Sequence, residues 1–444
     1  MTGDHLTTKA IGGFLRGELD TAAAAATLRH LLAGCAECSA LLRAHLNRRR
    51  AATGDGYDGA LLRSLAFVAD KEAPLALERI AAPGLVARLL EVSEEQQKLL
   101  IENDERFRTW GVCERLIQES RQTLWDLQPA ILLRQSRCAV ELSERLDTAV
   151  YGEDYVKDLQ AEAWSTLGNA HRVRGEFLAA RRALARSQEL LAQGTGDDVE
   201  AARLVSYEAS LLIDQGQFEH AVRLLDRYVR RLGQYGETQL QGKLLVQKGQ
   251  ALGFYDPEAA IPVNRQALAL LDGAESPRLT AAARHGLIWS LDATGRSHEA
   301  LMQFQASRRL FTQFSDPWSK LNTAWTEARL AFSLGKVEEA EAVYRQVWEQ
   351  AYSLGLERQT AFISLDLIEV NIVLGRTEEA AQLATRSIEL FQAWGVHRRA
   401  MQSWSLLVEA LRREETSRTT RKLVADLHVY LARAWKNPEY QGVS

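Results

Sequence analysis

A short turn signal returns about every forty residues along this chain of 444. It reads "GEFLAA" from Gly175, "GQFEHA" from Gly216, "GRSHEA" from Gly295, "GKVEEA" from Gly335 and "GRTEEA" from Gly375. The gap between Gly216 and Gly295 is double. "YDPEAA" from Tyr255 falls midway, so the spacings are 41, 39, 40, 40 and 40 residues. Five residues after each turn stands an alanine: Ala180, Ala221, Ala260, Ala300, Ala340 or Ala380. Sixteen after it comes an apolar residue: Leu191, Leu232, Leu271, Phe311, Ala351 or Phe391.

Glycine ends a helix by taking a left-handed backbone that other residues resist. The alanine lets the following helix lie close against the first. One such hairpin has too little core to stand alone, so neighbours must stack. Between the turns the apolar residues keep a helical period and proline is scarce, so the chain is predicted to be all-α. Upstream, Arg106 to Leu146 has the same hairpin pattern without the glycine turn and is predicted to be a degenerate first unit. Downstream, "RAMQSWSLLVEALRREE" and "RKLVADLHVYLARAWKN" are predicted as closing helices that shield the last apolar face.

The glycine turn, the later alanine and a small residue seven before the turn (Gly168, Ala209, Ala328) resemble the tetratricopeptide repeat family. Ile288, Ile368 and Lys248 depart from it at that small position. The period also exceeds the family's usual length of about 34 residues. Over Leu159 to Gly395 the resemblance implies a right-handed superhelical, TPR-like α-solenoid of about six to seven hairpins. Its concave wall would come from the first helix of each hairpin. In the family's phase that wall carries Asn169, Arg172, Asp214, His285, Trp289, Asp292, Asn322, Trp325, Arg329 and Glu369. Exposed Trp and Arg are common interface anchors. The candidate contacts for a protein or peptide in the groove are therefore Asn169, Arg172, His285, Trp289, Asn322, Trp325 and Arg329, with Trp289, Trp325 and Arg329 near its centre.

A second motif lies at the N-terminus. His5, His30, Cys35 and Cys38 form a His-x24-His-x4-Cys-x2-Cys pattern in a chain with only 4 cysteines. Two imidazoles and two thiolates are a standard tetrahedral set for zinc. The alternative is plain packing, with two small core cysteines and a histidine at a helix end. "CAEC" is predicted to form a turn that opens the helix "SALLRAHLNRRR", with Gly34 stopping the helix before it. His45, seven residues after Cys38, is about 10 Å further along that helix and is a poor substitute ligand. Cys113 and Cys138 read as buried small apolar residues.

This motif, with the opening helix "HLTTKAIGGFLRGELD", resembles the zinc-binding anti-sigma domain family over about residues 4 to 50. The chain has one residue more than the family between His30 and Cys35. The resemblance implies one structural zinc in a small helical head, with a sigma factor as a candidate partner. Four protein ligands leave no open position for catalytic water. The chain is thus expected to divide into a zinc-stapled head (1–50), a linker (51–59), a helical region (60–158), the repeats (159–395) and closing helices with a tail (396–444). The linker "AATGDGYDG" carries three glycines and two aspartates, which disfavour helix.

The remaining signals limit function. Charged residues are 25% of the chain and the net charge is −4, so no direct nucleic-acid binding is expected. No apolar run is long enough to span a bilayer and "MTGDHLTTKA" is unlike a signal peptide, so a cytoplasmic protein without membrane attachment is expected. No phosphate-binding loop or nucleophile elbow is found. The expectation is a non-enzymatic bacterial regulator in which an anti-sigma-like head is coupled to a partner-binding scaffold. The alternative is a plain assembly scaffold for an effector or protease, with a purely structural head.

Overall fold

The structure, a computed structural model, describes residues 5–16, 18–32, 35–50, 57–123, 128–196, 198–233, 237–393, 398–413 and 418–434. Gly34, residues 51–56 of the expected linker, Gly395 and the tail beyond 434 lie outside them. Every regular element among the described residues is helical. The chain divides into two compact units, residues 1–204 with 230–238, and residues 205–229 with 239–444.

The first unit opens with the head: α1 (Thr8–Arg16), α2 (Thr21–Leu32) and α3 (Ala36–Arg50). Ile11, Leu31, Cys38 and Leu42 form its small core, with Leu6, Phe14, Cys35 and Leu41 against it. Then come α4 (Tyr57–Glu91), α5 (Glu94–Asn103), α6 (Trp110–Thr123), α7 (Pro129–Ser143) and the short α8 (Thr148–Tyr151). The last three residues of the expected linker, Tyr57, Asp58 and Gly59, already belong to α4. α4 also carries Pro74 and Pro83 inside it. The chain's register here is set by contact. Gly111 of α6 lies so close to α4 that a Cβ there would stand 2.6 Å from the Glu78 backbone. Glu78 accepts from the Gly111 N–H (3.1 Å) and from the Tyr151 hydroxyl (2.8 Å). The degenerate hairpin expected over Arg106 to Leu146 is α6 with α7, and both Cys113 and Cys138 are buried in its core.

The repeats run as hairpins α9 (Glu153–Val173) with α10 (Phe177–Leu191), α11 (Asp198–Asp214) with α12 (Phe218–Leu232), and α13 (Thr238–Gly253) with α14 (Pro257–Leu270). They continue as α15 (Pro277–Ala293) with α16 (Ser297–Thr312), α17 (Pro317–Ser333) with α18 (Val337–Ser353), and α19 (Glu357–Val373) with α20 (Thr377–Ala393). α21 (Arg398–Arg412) and α22 (Arg418–Ala434) follow. All five turn glycines have positive φ, between 70° and 81°. Each closes its helix with a paired cap: at Gly335, its own N–H bonds Phe332 O and the Lys336 N–H bonds Ala331 O. All six repeat alanines are fully buried.

The sixth turn lacks glycine and is built differently. Tyr255 and Asp256 both donate to Leu252 O, and the Asp256 side chain caps α14 by accepting from Ala259 N. The small residue that Lys248 fails to supply is Gly249, one position later. A Cβ on Gly249 would stand 2.4 Å from Asn264 Oδ1 of α14. Lys248 instead points to Asp226, 2.6 Å away.

Candidate metal centre and repeat wall

The head brings its four metal-type side chains together. The ligand atoms of His5, His30, Cys35 and Cys38 all lie within 4.8 Å of one another. Local structure explains each placement. Cys35 sits just before α3, its carbonyl accepting from Ser39 N, and Cys38 lies in the first turn of that helix. His30 lies in the last turn of α2, and His5 in the irregular segment before α1.

The donor atoms are aimed at one point. His5 Nδ1 is 3.3 Å from Cys35 Sγ and 3.8 Å from Cys38 Sγ. Zinc bonds of about 2.3 Å to sulfur and 2.0 Å to nitrogen, at tetrahedral angles, put such atoms about 3.5 Å apart. His30 Nε2 is buried without a hydrogen-bond partner, the condition of a ligand nitrogen awaiting a metal. His5 Nε2 faces the Glu37 carboxylate at 3.0 Å, which fixes the proton on Nε2 and leaves Nδ1 free to ligate. The Leu6 N–H donates to Cys38 Sγ at 3.1 Å.

The two thiols differ. The Cys38 N–H, with help from His30 and His5, outweighs burial and holds the Cys35 thiol down at about 6. Burial pushes Cys38 up. One ready thiolate beside one buried thiol is a donor set suited to a divalent cation. The sequence named all four clustered side chains but not Glu37, whose signal was its place inside "CAEC".

The wall residues form a different arrangement. In the first unit, Asn169 is buried and accepts from Arg172 Nε at 2.9 Å. In the second, the candidates bond to one another from one repeat to the next. Trp289 and Trp325 meet edge to face at 5.0 Å, and the Arg329 guanidinium lies over Trp289 at 4.6 Å. Arg329 Nε donates to Asp292 (2.9 Å), which also accepts from Ser297 and Ser333. Trp325 Nε1 donates to Asp366 of α19 at 2.7 Å. Burial alone would drag Arg329 down, but Asp292 and Asp366 outweigh it and hold its pKa above the usual value.

Thr326 completes this ladder. It donates to the Asn322 carbonyl and accepts from Trp289 Nε1 (2.8 Å), leaving His285 Nδ1 (3.2 Å) to donate to its remaining lone pair. The sequence read Trp289, Trp325 and Arg329 as solvent-facing anchors. Neighbouring helices pack on both rings, with Trp325 8% exposed and Trp289 on the same core, while the Arg329 side chain keeps 29% exposure.

Burial holds the His285 pKa down at about 4, against 6.5 ordinarily. Between those values the unfolded chain binds a proton that the folded chain does not. The stability tied to neutral His285 is therefore complete above pH 6.5 and drains as pH falls toward 4. The expected loss between pH 7 and pH 5 is about 2 kcal/mol. His285→Phe should remove that component, read as urea midpoints at the two pH values. An unchanged difference in the variant would contradict it.

Stacked hairpins with left-handed glycine turns and buried alanines define an all-α protein of the TPR-like repeat class. No protein-family model and no curated protein matches the chain. Solved structures do. Aspartyl phosphate phosphatase F from Bacillus subtilis matches with a TM-score of 0.50 at 14% identity, over 88% of this chain and 96% of that one. A Rap protein complexed with competence and sporulation factor matches with a TM-score of 0.43 at 15% identity, over 78% and 99%. At this identity the first likeness carries the fold alone. Among the described residues, no helix is long and apolar enough to cross a membrane.

Proposed function

We propose that this chain is a non-enzymatic, partner-binding regulator in which a zinc-stapled head is coupled to a TPR-like scaffold. The observation that carries the reading is the convergence of His5, His30, Cys35 and Cys38 on one point. One zinc would close the head, with His5 and His30 supplying nitrogen and Cys35 and Cys38 sulfur. Its role is structural, because the four protein donors fill a tetrahedral shell. The repeats supply the partner surface. On this reading Asn322 and Arg329 contribute polar contacts, while Trp289 and Trp325 set the wall's shape. A sigma factor is the partner class that the head motif suggests.

Capture by the tagged full chain from a lysate of its own source tests this. A sigma factor is expected to co-purify, and Cys35→Ser with Cys38→Ser should reduce its capture more than tenfold. Loss of sigma capture with retention of another protein on the repeats would favour a plain scaffold with a structural head. Capture of no protein at all would overturn the regulatory reading.

A further inference from the structure

The last helix among the described residues, α22, has two faces with two destinations. Val424, Leu427 and Leu431 of α22 are buried with Trp404, Leu407 and Leu411 of α21, where they close the end of the repeat stack. Its final turn goes elsewhere. Ala432 packs among Leu212, Ile213, Phe218, Ala221 and Ala251, on α11, α12 and α13. Three hairpins lie between α11–α12 and α19–α20 in the chain, so α22 reaches back across the second unit.

The chemistry of that landing place is acidic and aromatic. Arg433 pairs with Glu219 at 2.9 Å, and its guanidinium lies 5.5 Å from the Phe218 ring centre and 6.0 Å from that of Tyr255. Arg358 of α19 bonds Asp214 at 3.1 Å and reaches the Ala432 carbonyl at 3.4 Å. His428 pairs with Asp366 at 3.3 Å and stacks on Phe362. The approach is close. A Cβ on Gly216 would stand 2.3 Å from the Arg433 backbone, so the glycine that turns the second repeat also admits α22.

The two faces are held by different forces. An apolar stripe holds the closing face. Partly exposed ion pairs and one small alanine hold the final turn, and such pairs are individually weak. The residues after Leu431 can therefore leave while Val424, Leu427 and Leu431 keep the closing core covered. Their seat also includes Asp214, a position that the repeat phase assigns to the ligand wall. A guanidinium over aromatic rings and beside a carboxylate is a common way to recognise an arginine-bearing segment.

We infer that the final turn of α22 is a built-in occupant of a partner site formed by Asp214, Phe218, Glu219 and Tyr255, and that this site takes in trans an amphipathic helix presenting a small residue followed by arginine. The inference rests on the reading of the repeats as a partner scaffold. It makes α22 an internal competitor, so the partner must displace it.

A synthetic peptide of residues 418–434 and the full-length chain test this. In the parent chain the tethered copy should win and the peptide should bind weakly. In Arg433→Glu, hydrogen exchange over residues 432–434 should quicken at least tenfold while α13 to α20 keep their protection. The peptide should bind that variant at least tenfold more tightly. Adding Glu219→Arg to Arg433→Glu should restore protection of the final turn. Should Arg433→Glu fail to fold, Arg433→Gln carries the same test. The inference is overturned if the final turn exchanges only together with α19–α21, if its protection is unchanged by the variant, or if the freed site ignores the peptide. The peptide assay uses no foreign partner, so it can fail while capture of a sigma factor succeeds.

Discussion

Replacing Cys38 by serine is expected to strip the head of both its metal and its fold, while α13 to α20 keep their helical signal. Among the described residues, Ile11, Leu31, Cys38 and Leu42 are buried between the three helices. A helical head of about fifty residues rarely stands without a staple. Structural zinc supplies about 10–16 kcal/mol to small domains at neutral pH, and most of that is folding free energy. The parent chain should therefore carry one zinc, measured by elemental analysis of protein never exposed to chelator. Cys38→Ser should carry less than a tenth of that, and exchange protection over residues 5–50 should collapse. Glu37→Gln is a subtler probe. It keeps the side chain's size and an acceptor for His5 Nε2 but removes the charge, and zinc affinity should fall about 10–100-fold. Less than a tenth of an equivalent of zinc in the parent chain would sink the assignment.

The repeat architecture was legible because its two markers are physical necessities. A left-handed turn selects glycine, and a close helix crossing selects alanine. Gly175, Gly216, Gly295, Gly335 and Gly375 have the required φ, and the six alanines are buried. Where one marker is missing, the reading lost precision. Tyr255 replaces a glycine, and the small residue moved from position 248 to Gly249, a shift that spacing alone did not reveal. The cysteine cluster was legible for a similar reason, since two thiolates three residues apart at a helix start can aim at one ion.

Long-range packing was not legible. A one-dimensional pattern says which face of a helix is apolar, not which distant helix covers it. The return of Ala432 and Arg433 to α11–α13 has no local signal, because a small residue and an arginine at a helix end are ordinary. Pro74 and Pro83 illustrate this too: each argues locally against a helix interior, yet both lie within α4. The wall residues show the same limit. Trp289 and Trp325 were placed on the expected helices, but the sequence could not tell an open surface from a ladder shared between neighbours.

That ladder sets the second large effect. Asp292→Ala is expected to cost about 1.5–3 kcal/mol, because it leaves Arg329, whose side chain is 29% exposed, charged and without its bonded carboxylate. Ser297 and Ser333 would lose their acceptor at the same time. Removing both charges should hurt less than the sum of the two single changes. Asp292→Ala with Arg329→Met should show a coupling of about 1–3 kcal/mol, since no unpaired charge then remains. Trp325→Ala should cost about 3–5 kcal/mol through the cavity it opens, and it also removes the indole N–H that the Asp366 carboxylate accepts from. Urea midpoints followed by circular dichroism, with hydrogen exchange on α15, α17 and α19, measure all three. If the residues were instead free anchors for a partner, Asp292→Ala and Trp325→Ala would leave the midpoint within about 0.5 kcal/mol of the parent and change only partner capture. A fall in midpoint with strong Asp292–Arg329 coupling identifies them as the internal frame that holds successive repeats in register.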